Sequence, residues 1–208
     1  MNSSTHAPQS KSAGSLDKIT IFGSADIDQQ HPLYKTVYDV AQYLASQGKT
    51  VINGGGPGTM LAATEGAKSA GGRTITVTFF PEDMPEFEGK DVKNVPDQEI
   101  RTTTYIERMF GLIHEADAYV CFQGGTGTLS EWATAWLLAH LHYGKHKPLI
   151  LYGAFWKDFM RAVNEHFFIG EAENNVYQIV ENQEEFVRAF AELQQNITGR
   201  GNNAGLAK

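Results

Sequence analysis

A chain of 208 residues, 41% hydrophobic and 20% charged, has the length of one domain and the composition of a soluble globular fold. Its formal net charge of -7 argues against a nucleic-acid polymer as partner, yet a small anion can still be held by backbone N–H groups. The single cysteine, Cys121, excludes an intramolecular disulfide and multi-cysteine zinc cages, and no apolar run reaches the roughly 18 residues of a membrane span.

The Ser-rich stretch from Met1 to Ser15 has no apolar signal core, so residues 1–16 are predicted to be a disordered leader and the location cytoplasmic. Ile19 to Phe22 is a short apolar run ending at Gly23-Ser24, a buried strand entering a loop. Pro32 opens a helix in which Leu33, Val37, Val40, Ala41 and Leu44 recur at helical spacing until Gly48. Thr50 to Ile52 forms the next strand, Gly54 to Gly58 a glycine loop, and residues 59–70 a helix of small side chains. Thr74 to Phe79 is strongly β-forming. Residues 81–98, with Pro81, Pro85, Pro96 and many acids, are expected to be a loop over the sheet edge.

A helix is predicted over 103–115, with Ile106, Met109, Phe110 and Ile113 on its apolar face. Ala118 to Phe122 is a strand whose Cys121 reads as a buried core thiol. A second glycine loop then leads into a helix over 128–143, followed by a strand at 148–151. Helical segments near 155–168 and 183–194 flank a strand at 176–180, and residues 196–208 are expected to be a disordered tail. Alternating strands and helices predict one domain over 17–195: an α/β, Rossmann-like, doubly wound, mostly parallel sheet with helices on both faces. Ligands of such sheets bind beyond the carboxyl ends of the strands.

Gly55-Gly56-Pro57-Gly58-Thr59 and Gly124-Gly125-Thr126-Gly127-Thr128 repeat one pattern, each after an apolar strand and before a helix. Glycine allows close backbone approach, and a helix N-terminus offers unpaired N–H donors and partial positive charge, so the two loops are candidate phosphate cradles. Tight βα turns also use glycine for geometry alone. Neither loop is followed by a P-loop lysine, and neither gives the full Gly-x-Gly-x-x-Gly fingerprint. The second loop continues to Glu131. That carboxylate either closes a capping box with Thr128 or serves the ligand, by orienting a sugar hydroxyl, stabilising positive charge or activating water. On a helical wheel Arg101, Thr104, Arg108 and Glu115 share the polar face, either solvated or turned to a cleft wall where Arg108 could clamp phosphate. His140, His142 and His146 lack a metal-binding spacing, and Trp132 with Trp136 reads as packing.

Gln123-Gly124-Gly125-Thr126-Gly127-Thr128-Leu129-Ser130-Glu131 resembles the Pro-Gly-Gly-x-Gly-Thr-x-x-Glu hallmark of the LONELY GUY (LOG) family. Tyr105-Ile106-Glu107-Arg108-Met109 is similar to its Met-x-x-Arg-Lys motif, and Phe22-Gly23-Ser24, Gly54-Gly55-Gly56 and Gly144 to Pro148 extend the resemblance over roughly residues 18–190. Here Gln123 replaces the hallmark proline, Met109 the lysine, and Pro57-Gly58-Thr59-Met60 the usual Gly-Leu-Met-Gly. The resemblance implies a Rossmann-like homodimer or higher oligomer. Its implied reaction is hydrolysis of the N-glycosidic bond of adenine-type nucleoside 5′-monophosphates, with no metal or organic cofactor. It implies Glu131 and Arg108 as the catalytic pair. The phosphoribosyl part would lie on Gly23, Ser24, Gly54, Gly55, Gly56, Gly58, Thr59, Gly124, Gly125, Thr126, Gly127 and Thr128. A non-hydrolytic carrier of a nucleotide or phosphorylated cofactor is the alternative that Gln123 and Met109 motivate, and a structural oligomer whose glycines serve only folding is the third reading.

Overall fold

Strands form where β-branched and aromatic residues cluster, and glycine-containing turns separate β1, β2, β5 and β6 from the helices that follow them. The computed structural model describes residues 16–81 and 90–203, with side chains described up to 196. In chain order it holds β1 (Lys18–Phe22), α1 (Pro32–Ser46), β2 (Thr50–Asn53), α2 (Thr59–Ser69), β3 (Thr74–Phe79), β4 (Gln98–Thr102) and α3 (Tyr105–Glu115). These are followed by β5 (Ala118–Cys121), α4 (Thr126–Leu141), β6 (Leu149–Tyr152), α5 (Phe155–His166), α6 (Glu171–Asn174), β7 (Tyr177–Val180) and α7 (Gln183–Asn203).

The strands form one seven-stranded sheet in the order β4-β3-β2-β1-β5-β6-β7, every neighbouring pair parallel. The expected α/β doubly wound fold is therefore what the chain adopts. Alternation along β1 explains the two faces. Ile19 and Ile21 face a core with Val37, Val40 and Leu44 of α1, Leu61 of α2, and Phe186 and Phe190 of α7. Phe22 faces the other core, with Met109, Leu112 and Ile113 of α3, Trp132 of α4 and Trp156 of α5. Chain order reverses between β1 and β5, and at such a switch point the loops leaving the carboxyl ends diverge and open a crevice.

Several boundaries differ from the sequence reading. Residues 98–102 extend the sheet as β4, with Ile75 opposite Gln98 and Phe79 opposite Thr102. An edge strand has one free side, so Glu99 and Arg101 can be charged without breaking the ladder, and hydrophobic patterning misses it. Arg101 accordingly lies on a strand, paired with Glu99 at 3.0 Å, and not on a helix face with Arg108. The buried stripe of α3 is also rotated: Arg108, Met109, Leu112 and Ile113 are buried, while Ile106 and Phe110 are 55% and 51% exposed. The arginine turns inward because acceptors wait for it there.

α4 begins at Thr126 with Gly125 as a cap that makes no side-chain bond, so Thr128 and Glu131 do not form a capping box. The earlier start places Glu131 in the second helical turn. A true capping box closes α3, where Thr104 Oγ1 accepts from Glu107 N–H and the Glu107 carboxylate accepts from the N–H of Thr104. α7 continues to Asn203, past the expected end near 194 and into the expected tail, since extending a formed helix costs far less than nucleating one. Of the expected leader, residues 1–15 lie outside the described residues, as do 204–208 of the tail, whereas Leu16 is buried in the core. Among the described residues no helix is long and apolar enough to cross a membrane.

Candidate functional site

The crevice at the switch point holds a cavity of about 350 Å3, within the range of about 300–1,000 Å3 common for small-molecule pockets. Its walls come from the end of β1 and from the turns after β1, β2 and β5 with the helix starts they lead into: Ile21 and Phe22; Gly23, Ser24, Ala25 and Asp26; Gly54, Pro57 and Met60; Gly125, Thr126, Gly127, Thr128 and Glu131. Tyr105, Arg108 and Leu112 of α3 also line it. Ser24 joins the two glycine loops, donating its N–H to Gln123 O at 3.2 Å and accepting from Thr59 N–H at 2.9 Å. Residues 54–59 and 124–131, far apart in sequence, therefore meet across one serine.

The two loops are not equivalent, although their sequences match. Donors of the first are engaged within the fold: Gly55 N–H with Asn53 Oδ1 at 2.8 Å, Gly56 N–H with Met60 Sδ at 3.3 Å, Thr59 N–H with Ser24 O, and Met60 N–H with Pro57 O at 3.3 Å. Gly55, Gly56, Gly58 and Thr59 do not line the cavity, nor does Gly124. Gly58 has φ +62 and its Cα packs against backbone, since a Cβ there would lie 2.6 Å from Ser24 O. The second loop runs into α4, whose first intrahelical bond from the loop is Leu129 N–H to Gly125 O at 3.0 Å. N–H groups of a first helical turn have no intrahelical acceptor, and Thr126, Gly127 and Thr128, which form that turn, line the cavity at the positive end of the helix dipole. Of the two expected cradles, the loop before α4 is the one whose helix-start residues, Thr126 to Thr128, lie along the cavity wall.

Beside it, Arg108 Nη1 donates to Glu131 Oε1 at 3.3 Å, with side-chain exposures of only 9% and 8%. Arg108 Nη2 donates to Gly54 O at 3.1 Å and touches Met60 Sδ at 3.5 Å. This crossing requires glycine at 54, because a Cβ would lie 1.6 Å from Nη2. The Arg108 Nε is buried with no hydrogen-bond partner among the described residues. The guanidinium carbon lies 5.8 Å from the Tyr105 ring centroid. Burial pushes the Glu131 carboxyl up to about 7, and Arg108 opposes this only in part. The 3.3 Å separation is longer than the roughly 2.8 Å of a close charge-assisted pair, in keeping with that partial effect. A carboxylate poised there can hold or release a proton at neutral pH.

Sequence reasoning did not find Asp26, Tyr105 or Met60 as cavity residues. Tyr105 stands at the first position of the Met-x-x-Arg-Lys-like motif, which is the signal that could have marked it. Met109, at the lysine position of that motif, is buried in the core and accepts from Thr134 Oγ1 at 3.7 Å, so it fills space away from the cavity. Cys121 is fully buried behind Glu131, where burial holds the thiol protonated. Among the described residues no group of His, Cys, Asp or Glu side chains is placed to hold a metal ion.

A family model described as LDcluster4, the SLOG cluster4 family, matches residues 17–187. An uncharacterized protein of Archaeoglobus fulgidus is 32% identical over 120 residues, 58% of this chain and 74% of that protein. A cytokinin riboside 5′-monophosphate phosphoribohydrolase of Mycobacterium tuberculosis is 32% identical over 121 residues, 57% of this chain, and the match spans only 62% of that relative. Among solved structures, a molybdenum cofactor binding protein from Rippkaea orientalis superposes with a TM-score of 0.63 at 24% identity, covering 86% of this chain and 98% of that one. DNA processing protein A from Helicobacter pylori, described for its single-stranded DNA binding mode, gives a TM-score of 0.57 at 17% identity, covering 88% and 84%. At these identities the structural likeness is one of fold. A fold that serves single-stranded DNA in one protein lends no support to excluding nucleic acid here on net charge.

Proposed function

Since the chain belongs to the SLOG cluster4 family, we propose that it hydrolyses the N-glycosidic bond of a purine nucleoside 5′-monophosphate, releasing adenine or an N6-substituted adenine and ribose 5-phosphate. The observation that carries this reading is the convergence, in one cavity, of the open mouth of α4 with the buried Arg108–Glu131 pair. The resemblance to the LONELY GUY family and the phosphoribohydrolase relative support the same chemistry.

The phosphate sits against the first-turn N–H groups of α4, so binding energy is gained away from the reacting carbon and used there. Glu131, one turn further in, faces the ribose. The C1′–N bond breaks with its electron pair leaving on the base, and the oxocarbenium-like centre is stabilised by the carboxylate. Water bonds to C1′, Glu131 takes one of its protons, and that proton passes to the departing base. Arg108 keeps Glu131 oriented and limits how far burial raises its proton affinity. Asp26 and Glu131 are acidic and Arg108 is already paired, so the cavity suits one phosphate monoester better than a polyphosphate, and a small molecule better than a nucleic-acid strand. The working unit is a homodimer or higher oligomer in the cytoplasm. An apolar groove lined by Phe110, Ile113, Ala135 and Leu138, and the exposed Leu137 and Leu141 of α4, support that assembly.

The test is a panel of purine nucleoside monophosphates incubated with the purified protein and assayed for free base by chromatography. Base release from AMP or its N6-isopentenyl analogue, abolished in Glu131→Gln with nucleotide binding retained, is the expected result; undiminished turnover in that variant removes Glu131 from the mechanism. The second reading, a non-hydrolytic carrier, draws on the shared fold of the molybdenum cofactor binding protein. It requires no base release from any member of the panel together with tight binding of a phosphorylated cofactor.

A further inference from the structure

Beneath the first glycine loop lies a buried polar cluster that the proposed reaction does not use directly. Asn53, Thr64 and Asn94 are each no more than 2% exposed. Asn53 Nδ2 donates to Thr64 Oγ1 at 2.8 Å, and Thr64 Oγ1 donates to Asn94 Oδ1 at 2.6 Å. Asn94 Nδ2 donates to Gly56 O at 2.9 Å and lies 3.3 Å from Asn53 Oδ1, which also accepts from Gly55 N–H. From the same segment Asp91 N–H donates to Gly55 O at 3.0 Å. The peptide groups of Gly55 and Gly56 are thus fixed from below and from outside.

Burying amides and a hydroxyl is costly unless they are paired, and here the pairing is spent on one loop. The N–H groups of Gly55, Gly56 and Thr59 are engaged within the fold, and none of these three residues lines the cavity. What the loop does present is the Gly54 carbonyl, and the group that takes it is Arg108 Nη2. With Nη2 anchored there, Nη1 is the nitrogen left for Glu131. A loop free to turn its Gly54 carbonyl away would release the guanidinium and lengthen a contact that is already 3.3 Å.

We propose that Asn94, acting with Asn53 and Thr64, is a positioning residue for the Arg108–Glu131 pair, and that the first glycine loop is an arginine holder instead of a phosphate cradle. The assignment rests on the reading of that pair as the working groups of the site. Glu131 is faced by Arg108 from α3 and by the buried Cys121 thiol from β5, and it shares the cavity with Asp26 from the β1–α1 turn and the Tyr105 hydroxyl. Arg108 is the one cation among these, so its position governs how readily the carboxyl ionises.

The test uses the full chain with 13C-labelled glutamate side chains, the Glu131 resonance being identified by its loss in Glu131→Gln. In Asn94→Ala the titration midpoint of Glu131 rises by about one pH unit, as expected when a nearby opposite charge is loosened. Affinity for AMP stays within about twofold, because the first turn of α4 is untouched. A folded Asn94→Ala protein with the parental midpoint overturns the proposal. Should Asn94→Ala not fold, Thr64→Val keeps the side-chain shape while deleting the central hydroxyl, and its midpoint moves in the same direction; the parental value in folded Thr64→Val overturns the proposal equally. The titration needs no turnover, so a chain that hydrolyses nothing still decides the role of Asn94.

Discussion

Glu131 shows how one position acquires a chemistry its motif cannot specify. Three residues beyond Thr128 it has the spacing of a helix cap, and the second-turn placement removes that role while burial raises its proton affinity. With its carboxyl pushed up to about 7, base release that depends on the ionised form rises with pH below about 7 and levels off above it. A kcat/KM profile across this range checks the expectation. Arg108→Ala moves the rising limb to higher pH by removing the opposing cation. The same group gives a stability signature of definite sign. Its ordinary value is 4.5 and its folded value is about 7, so the folded state binds the proton more tightly, and the stability this confers at low pH is lost as pH climbs from 4.5 to 7. Glu131→Gln has no such loss. Its melting temperature relative to the parent therefore becomes more favourable from pH 5 to pH 8, on top of a constant penalty for leaving Arg108 unpaired, and a series of melting curves tests this.

The two glycine loops were legible in the sequence as a matched pair, and the element scale separates them. In the first, the glycines serve the chain itself; in the second, the helix mouth stays open. Gly58→Ala forces a side chain into left-handed backbone and against Ser24 O. A cost of about 1–3 kcal/mol lowers the melting temperature by roughly 3–10 °C. A Cβ on Gly125 meets nothing within 4 Å, and Gly125 lines the cavity. Gly125→Ala accordingly leaves melting within about 1 °C but weakens AMP binding, and calorimetry on the two variants distinguishes a folding glycine from a binding one. α3 carries the complementary lesson. Ile106, Met109, Phe110 and Ile113 have perfect helical spacing, yet the buried stripe is the neighbouring one containing Arg108 and Leu112. Hydrophobic periodicity cannot see that a buried arginine has Gly54 O and Glu131 waiting for it.

For the whole molecule, that rotation leaves Ile106 and Phe110 outside, and on α4 Leu137 and Leu141 are exposed too, the four ranging from 51% to 63%. Exposed apolar side chains of this size are the residues through which the proposed assembly is tested. Paired substitutions Phe110→Asp and Leu137→Asp are expected to yield a monomer of unchanged circular dichroism, read by sedimentation velocity. A parent that sediments as a monomer refutes the assembly. Edge strand β4 belongs to this scale as well, because its polar residues become a strand only when β3 is beside them to complete the ladder.

Local chemistry in the chain was enough to determine the alternation of strands and helices, the parallel sheet, and the carboxyl-end location of the glycine turns, since periodicity and turn-forming residues act over a few positions. Which glycine loop has its N–H groups tied into the fold, which face of α3 turns inward, and how strongly Glu131 holds its proton were decided by tertiary structure. Each depends on what lies opposite: Ser24 and Asn53 consume the donors of one loop, Gly54 O and Glu131 draw Arg108 inward, and burial withdraws water from the carboxyl. Those partners are distant in sequence, and only folding places them within hydrogen-bonding range.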